Sequence, residues 1–301
     1  MPIIDAHAHL YDSTAIGYGI FERRDPTFEA LVGDYSALPS RYGVADYRRD
    51  TAARPVDGIV WHEFIADDPV AEILWAQGLA DSCELPMALV GLADFADPGL
   101  PQRLELLASL ANVTAVRQHL GWNPADPLRR MASRPDYLTD PVWDAGLTRL
   151  ARTDMRCGLE VFSPQLADLT AVVRRHPDIG FTVAVLGWPT ELDTGGQARW
   201  RADMAALSRC DNTVASISAV ECIFGLDWDE DVAADWISIV VELFGADRCM
   251  FGSHLPIDGL SYGVDRLYRV YDRVLAGCSA DERQAAYGGT AHRWFRVPLP
   301  T

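Results

Sequence analysis

The feature that most constrains the fold of this chain is a regular alternation of short apolar runs with helical patterns. The segments between the runs, such as 163–176 and 232–245, repeat apolar residues every three or four positions. Short buried strands that alternate with amphipathic helices are typical of βα units around a parallel sheet. Eight repeats predict an α/β protein, a single (β/α)8 barrel over residues 1–301. The eight predicted strands are 2–7, 58–64, 87–93, 113–119, 157–162, 181–187, 213–218 and 248–253.

Two long segments interrupt this alternation. Residues 11–57 lack a clear periodicity, and residues 121–142 are rich in Pro and Asp. Loops that follow barrel strands lie at the catalytic face of the barrel. We therefore expect both segments to form walls of a pocket.

Composition narrows the class of partner. The formal net charge of −17 disfavours nucleic acid and anionic membranes, so a small molecule is the expected ligand. The six cysteines show no CxxC spacing, the first residues do not resemble a signal peptide, and no apolar run reaches 18 residues, which together predict a cytoplasmic protein. The chain has no lysine, which excludes Schiff-base catalysis and a carbamylated-lysine metal bridge. The oligomeric state cannot be derived from the sequence.

Histidines cluster at the predicted strand ends. Five of the seven lie at or just beyond the end of a strand, and in a barrel these ends share one face. His7 and His9 are two residues apart on an extended chain, so their rings point to the same side and can share a divalent cation. The five are His7, His9, His62, His119 and His254.

Other polar and aromatic residues lie near the same strand ends. Arg117 either binds a substrate carboxylate or oxyanion, or forms an ion pair inside the barrel with a residue such as Asp5. Glu63 and Glu160 are candidate acids or bases, or the ion-pair partners of Arg117. The candidate substrate-binding residues are Arg117, His62, Glu63, Glu160, Trp122 and Trp188.

Several motifs, taken in order, resemble the amidohydrolase superfamily. The resemblance is to its lactonase-like group of barrel hydrolases, which includes fuconolactonase and pyrone-dicarboxylate lactonase, and it covers nearly the whole chain. The motifs are DAHAHL (5–10), DDPVAEILWAQGLA (67–80), VTAVRQHLGWNP (113–124), PVWDAGLTRLA (141–151), LGWP (186–189) and DRCMFGSHLPID (247–258).

The resemblance implies a reacting centre of four polar positions, of which this chain keeps two. His7 and His9 match the first two, Val185 stands where the family has a third histidine, and His254 stands where it has an aspartate. An imidazole can act as a general base near neutral pH, so His254, with His7, His9 and His119, is a candidate catalytic residue. His7, His9 and His254 also form a candidate site for a divalent metal such as zinc. The missing histidine at Val185 leaves metal dependence open.

Three functions follow from these observations. The first is a lactonase-like hydrolase that acts on a carboxylated lactone or related cyclic ester, with an arginine anchor and a histidine acid or base. The second is a decarboxylase, lyase or cyclase that uses the same pocket. The third is a catalytically inactive binding barrel.

Overall fold

A computed structural model describes residues 2–298 and contains one nearly closed barrel of eight parallel strands. Each strand pairs with the next in chain order, and helices connect them. The predicted (β/α)8 fold is therefore confirmed. The strands are β1 (Ile4–Ala8), β2 (Gly58–His62), β3 (Met87–Leu92), β4 (Val113–His119), β5 (Arg156–Glu160), β6 (Phe181–Val183), β7 (Thr213–Ile217) and β8 (Cys249–Phe251).

Helices cover the outside of the barrel, and several begin at an aspartate that caps the first turn. Asp68 and Asp140 each accept hydrogen bonds from backbone N–H groups of the helix they precede, and a proline occupies the next position. No helix within residues 2–298 is long and apolar enough to cross a membrane. The α-helices are α1 (Gly19–Glu22), α2 (Pro26–Val32), α3 (Val44–Asp50), α4 (Pro69–Ser82), α5 (Leu100–Ser109), α6 (Pro141–Leu150), α7 (Leu166–Arg175), α8 (Thr194–Leu207), α9 (Val220–Phe224), α10 (Glu230–Phe244), α11 (Val264–Val274), α12 (Ala280–Gln284) and α13 (Thr290–Phe295).

Two segments differ from the sequence-based expectation. The first insertion contains α1, α2, α3 and a small antiparallel pair, Tyr11–Asp12 with Arg41–Tyr42. The sixth strand is shorter than predicted, because Val185 and Leu186 both have positive φ values, 51° and 53°, which turn the chain out of the sheet. Val185 thereby reaches the mouth of the barrel.

A bulge in β1 directs its histidines. Ile4 pairs with Gly58 and Asp5 with Ile59, but Ala8 pairs with Trp61, so β1 contains one extra residue. Side chains alternate along a strand, and one extra residue reverses which side they face. Ile4 and Ala6 belong to the apolar cluster inside the barrel. Beyond the bulge, His7 and His9 face inward at the barrel mouth.

The barrel closes between β1 and the segment that follows β8. The backbone N–H of His254 donates to the His7 carbonyl at 2.7 Å, and the N–H of His9 donates to the Leu255 carbonyl at 2.8 Å. The buried Asp5 carboxylate accepts the Ser253 N–H at 2.7 Å. These bonds hold the two ends of the sheet, and their histidines, together.

Gly252 permits this close approach. A Cβ atom at Gly252 would lie 2.7 Å from both the Cβ and the backbone nitrogen of His7. We expect Gly252→Ala to lower the free energy of unfolding by about 1–3 kcal/mol through overpacking, measured by urea denaturation. Gly78→Ala is the control, because, apart from its chain neighbours and the backbone of its own helix, the new Cβ would meet no atom of residues 2–298 within 4 Å. Equal stability of the two variants would contradict a tight junction.

Candidate metal centre and active site

Three histidines converge at the mouth of the barrel. His7 lies on β1, His9 follows it, and His254 comes three residues after β8. One ring nitrogen of each lies within 4.8 Å of one ring nitrogen of each of the others. All three rings are buried and line one cavity. The structure therefore brings together the three residues that the sequence indicates as metal ligands.

Each of these rings has its Nδ1 atom bound to a protein group. Nδ1 of His7 lies 2.7 Å from the Ser218 hydroxyl, and Nδ1 of His9 lies 3.0 Å from the His62 carbonyl. Nδ1 of His254 is hydrogen-bonded to the Glu221 carboxylate. A carbonyl or carboxylate oxygen only accepts, so Nδ1 of His9 and of His254 carries a proton. Nε2 of His7 is buried and has no hydrogen-bond partner within residues 2–298.

Burial keeps two of these imidazoles neutral. It lowers the pKa of His7 and of His9 well below the usual value, and the neighbouring histidines lower it further. Neutral imidazole is the form that binds a metal ion. Both rings are therefore ready to act as ligands at neutral pH.

His62 lies behind His7 and does not line the cavity. The centroids of the two rings are 4.2 Å apart, and Nε2 of His62 lies 3.2 Å from the Ala6 carbonyl. Burial, aided by the charge of Arg117, lowers the pKa of His62 to about 3. The structure thus places four of the five strand-end histidines on the cavity wall and the fifth beneath one of them.

A second cluster at the barrel mouth is charged. Nε of Arg117 donates to Oε1 of Glu63 at 2.7 Å, its terminal nitrogens donate to the Glu160 carboxylate and to the Glu63 carbonyl, and all these groups are buried. His119 lies between the same carboxylates, 2.9 Å from Glu160 and 2.8 Å from Glu63. The structure therefore contains ion pairs inside the barrel, which is one of the two interpretations of Arg117 from the sequence.

The charges of this cluster stabilise one another. Burial alone would raise the pKa values of Glu63 and Glu160, but Arg117 and His119 hold both below their usual range. Burial also opposes the charge of His119, yet Glu160 and Glu63 raise its pKa to about 9. His119 is therefore an imidazolium at neutral pH, with both N–H groups directed at carboxylates.

The cavity has a volume of about 220 Å³ and is walled by both insertions. Helix α2 and the residue that caps it, Asp25, contribute one side, and Arg130 with Met131 contributes another. Trp188 lines the cavity, as the sequence predicts for an aromatic wall. Trp122 does not line it: the indole ring lies 4.7 Å from the guanidinium carbon of Arg130.

Sequence reasoning missed the partners that orient the histidines. Ser218 and Glu221 follow β7 and approach His7 and His254 from positions 211 and 33 residues away. The only signal available was their place after a predicted strand. Cys222 also lines the cavity, with its sulfur 3.9 Å from Nδ1 of His254, and burial raises the pKa of its thiol.

Known proteins with the same architecture identify the family. A family model described as amidohydrolase matches residues 4–297. The chain belongs to this amidohydrolase family. The uncharacterized protein y4mH of Sinorhizobium fredii is 26% identical over 98% of each chain. An L-fucono-1,5-lactonase of Burkholderia multivorans is 28% identical over 54% of this chain and 59% of that enzyme.

A solved amidohydrolase shares the whole barrel. The B. multivorans amidohydrolase crystallised with bound zinc superposes with a TM-score of 0.80 at 22% identity, over 99% of this chain and 100% of that chain. This likeness shows the fold. The amidohydrolase family and its lactonase relatives place the chain among hydrolytic enzymes.

The His119 imidazolium predicts a pH-dependent stability in this amidohydrolase. A histidine with a folded pKa of about 9 and an unfolded pKa of about 6.5 contributes stability that is complete below pH 6.5 and is lost as the pH rises through 9. We expect His119→Gln to destabilise the protein more at pH 6 than at pH 10, by a difference on the order of 3 kcal/mol.

The measurement is denaturant unfolding of wild type and variant at both pH values. His292→Gln supplies the control, because it replaces an exposed histidine that lies outside the buried cluster. A His119→Gln effect that does not depend on pH would show that the ring is neutral.

Proposed function

We propose that this amidohydrolase hydrolyses a lactone or related cyclic ester at a divalent ion, such as zinc, held by His7, His9 and His254. One observation carries the proposal: three buried imidazoles each have a ring nitrogen within 4.8 Å of a ring nitrogen of the other two, and the Nδ1 of each ring is bound to a protein group. The likeness to an L-fucono-1,5-lactonase supports ester hydrolysis as the reaction.

The donor set fits a zinc-type ion without a residue at Val185. Three histidines with an open fourth position are an established form of catalytic zinc site. The buried Nε2 of His7, which has no partner among residues 2–298, is costly unless something binds it. The Glu221 carboxylate accepts a hydrogen bond from Nδ1 of His254. This bond orients the ring and makes its other nitrogen a stronger metal ligand. When bound, such an ion lowers the pKa of a water ligand to about 7 and polarises a carbonyl.

In this proposal Arg117 stabilises the reacting carbonyl. Its contacts with Glu63 and Glu160 use three of its five N–H groups, and the guanidinium lines the cavity. The two remaining N–H groups can donate to the carbonyl oxygen as negative charge develops there. His119 donates both of its N–H groups to the same two glutamates, so its role is to hold the carboxylates that fix Arg117.

Hydrolysis in this pocket can proceed with or without a bound ion, and His254 takes part in both cases. Its free ring nitrogen would help to hold an ion, and without an ion it would take a proton from water. Glu221 serves both forms, since it stabilises the ring as a ligand and as an imidazolium. The residue required for hydrolysis is therefore the same in either form.

A lactone with a carboxylate tests this function. We expect the zinc-supplemented protein to open dihydrocoumarin-4-carboxylate, with proton release followed by an indicator dye. His254→Ala should lower turnover by about 10²- to 10⁴-fold, because it removes a group that binds the ion or moves the proton. His292→Ala, which alters an exposed histidine, should have wild-type turnover.

The product identifies the reaction. Hydrolysis gives a ring-opened hydroxy acid that retains every carbon atom, whereas decarboxylation releases carbon dioxide from an intact ring. Wild-type turnover in His254→Ala, or release of carbon dioxide in place of the hydroxy acid, would contradict the proposal.

A further inference from the structure

Two arginines line the cavity, and they differ in how their charge is compensated. Arg117 is buried between Glu63 and Glu160. Arg130 forms no ion pair with any carboxylate in the part of the chain that the structure describes; its hydrogen bonds go to backbone carbonyls. Arg130 is therefore a cavity-lining cation whose charge is available to a ligand.

The side chain of Arg130 is held in place. Nε donates to the Asn123 carbonyl at 3.1 Å, and one terminal nitrogen donates to the Pro124 carbonyl at 2.8 Å. The guanidinium lies over the Trp122 ring at 4.7 Å, and the backbones of Trp122 and Arg130 form an antiparallel bridge. The other three of its five N–H groups have no partner in the described part of the chain. A guanidinium fixed in this way loses little conformational entropy when it binds a planar carboxylate.

Most of the cavity wall is apolar. Helix α2 and the strand ends supply aliphatic and aromatic side chains, and the carboxylates and histidines on the wall are Asp25, Glu160, His7, His9, His119 and His254. Against such walls a sugar-like ligand would lose the hydrogen bonds that its hydroxyl groups make with water, and this loss disfavours its binding. The apolar side chains include Phe28, Leu31, Val32, Phe64, Met131 and Trp188.

We propose that the cavity selects a substrate with an apolar, ring-containing body and one carboxylate, and that Arg130 on its Trp122 platform binds that carboxylate. The assignment of Arg130 as the anchor separates two tasks, because Arg117 then faces the reacting carbonyl. The proposal rests on the proposed function only for which end of the ligand reacts. It excludes a polyhydroxylated sugar lactone as the preferred substrate.

Binding of three probes tests this selection without turnover. The probes are 3-phenylpropanoate, its neutral amide 3-phenylpropanamide, and the sugar acid L-fuconate, each titrated into the protein by calorimetry. We expect wild type to bind 3-phenylpropanoate at least tenfold more tightly than either other probe. Arg130→Gln should bind 3-phenylpropanoate and its amide equally.

A neighbouring arginine provides the matched control. Arg129 does not line the cavity, and its Nε lies 3.8 Å from the Asp126 carboxylate. Arg129→Gln makes the same change in net charge, and we expect it to keep the wild-type preference. The proposal is overturned if Arg130→Gln still prefers the carboxylate, or if Arg129→Gln loses the preference equally. It is also overturned if wild type fails to distinguish 3-phenylpropanoate from its amide or from L-fuconate.

These results are independent of the hydrolysis assay. Arg130-dependent binding without lactone opening would remove the proposed reaction and keep the anchor. Lactone opening without Arg130-dependent binding would do the reverse.

Discussion

The site depends on the junction between the first and last strands of the barrel. Backbone hydrogen bonds from His254 to His7 and from His9 to Leu255 join segments that are about 250 residues apart in sequence. The approach is so close that Gly252 has no room for a side chain. His254 itself has a φ of 62°, a left-handed conformation that is uncommon outside glycine and that turns the chain at this point. The hydrogen bonds that close the barrel therefore also bring the three histidines together.

The barrel mouth contains one group of neutral side chains and one group of charged side chains. Burial leaves His7 and His9 neutral, while the buried Arg117 is compensated by Glu63 and Glu160. A buried charge without a partner would cost several kcal/mol, so the glutamates are a condition for an arginine at this depth. Arg117 in turn disfavours protonation of the nearby histidines, which appears in its contribution to the low pKa of His62. The charged cluster thus supports the neutral state of the ligands.

The sequence predicted the features that depend on local pattern. The eight strands follow from apolar runs, and the grouping of His7 with His9 follows from the two-residue period of an extended chain. The early end of β6 was missed because two positive φ values at Val185 and Leu186 have no signature in side-chain type. The bulge in β1 was missed because the pairing register depends on its neighbouring strand.

Features that depend on distant contacts could not be predicted. Glu221 orients His254 only because the loop after β7 lies beside the end of β8. From the sequence, Arg117 is either a substrate anchor or an ion-pair residue. Which of the two it is depends on where two glutamates from other strands lie. The role that we propose for Arg130 could not be predicted from the sequence. It depends on the lack of an acidic partner among residues 2–298, which only the folded chain reveals.

The stoichiometry of zinc binding, measured by competition with a chromophoric chelator, tests whether the three histidines form a metal centre. We expect one tightly bound zinc ion in wild type and in His292→Ala. Removal of a ligand in His7→Ala, His9→Ala or His254→Ala should weaken this binding by at least 100-fold, and Glu221→Gln should weaken it by about 10- to 100-fold, as expected for a residue that orients a ligand. Wild type that binds no zinc, or a His254→Ala variant that binds it as tightly as wild type, would contradict a metal centre built from these three histidines.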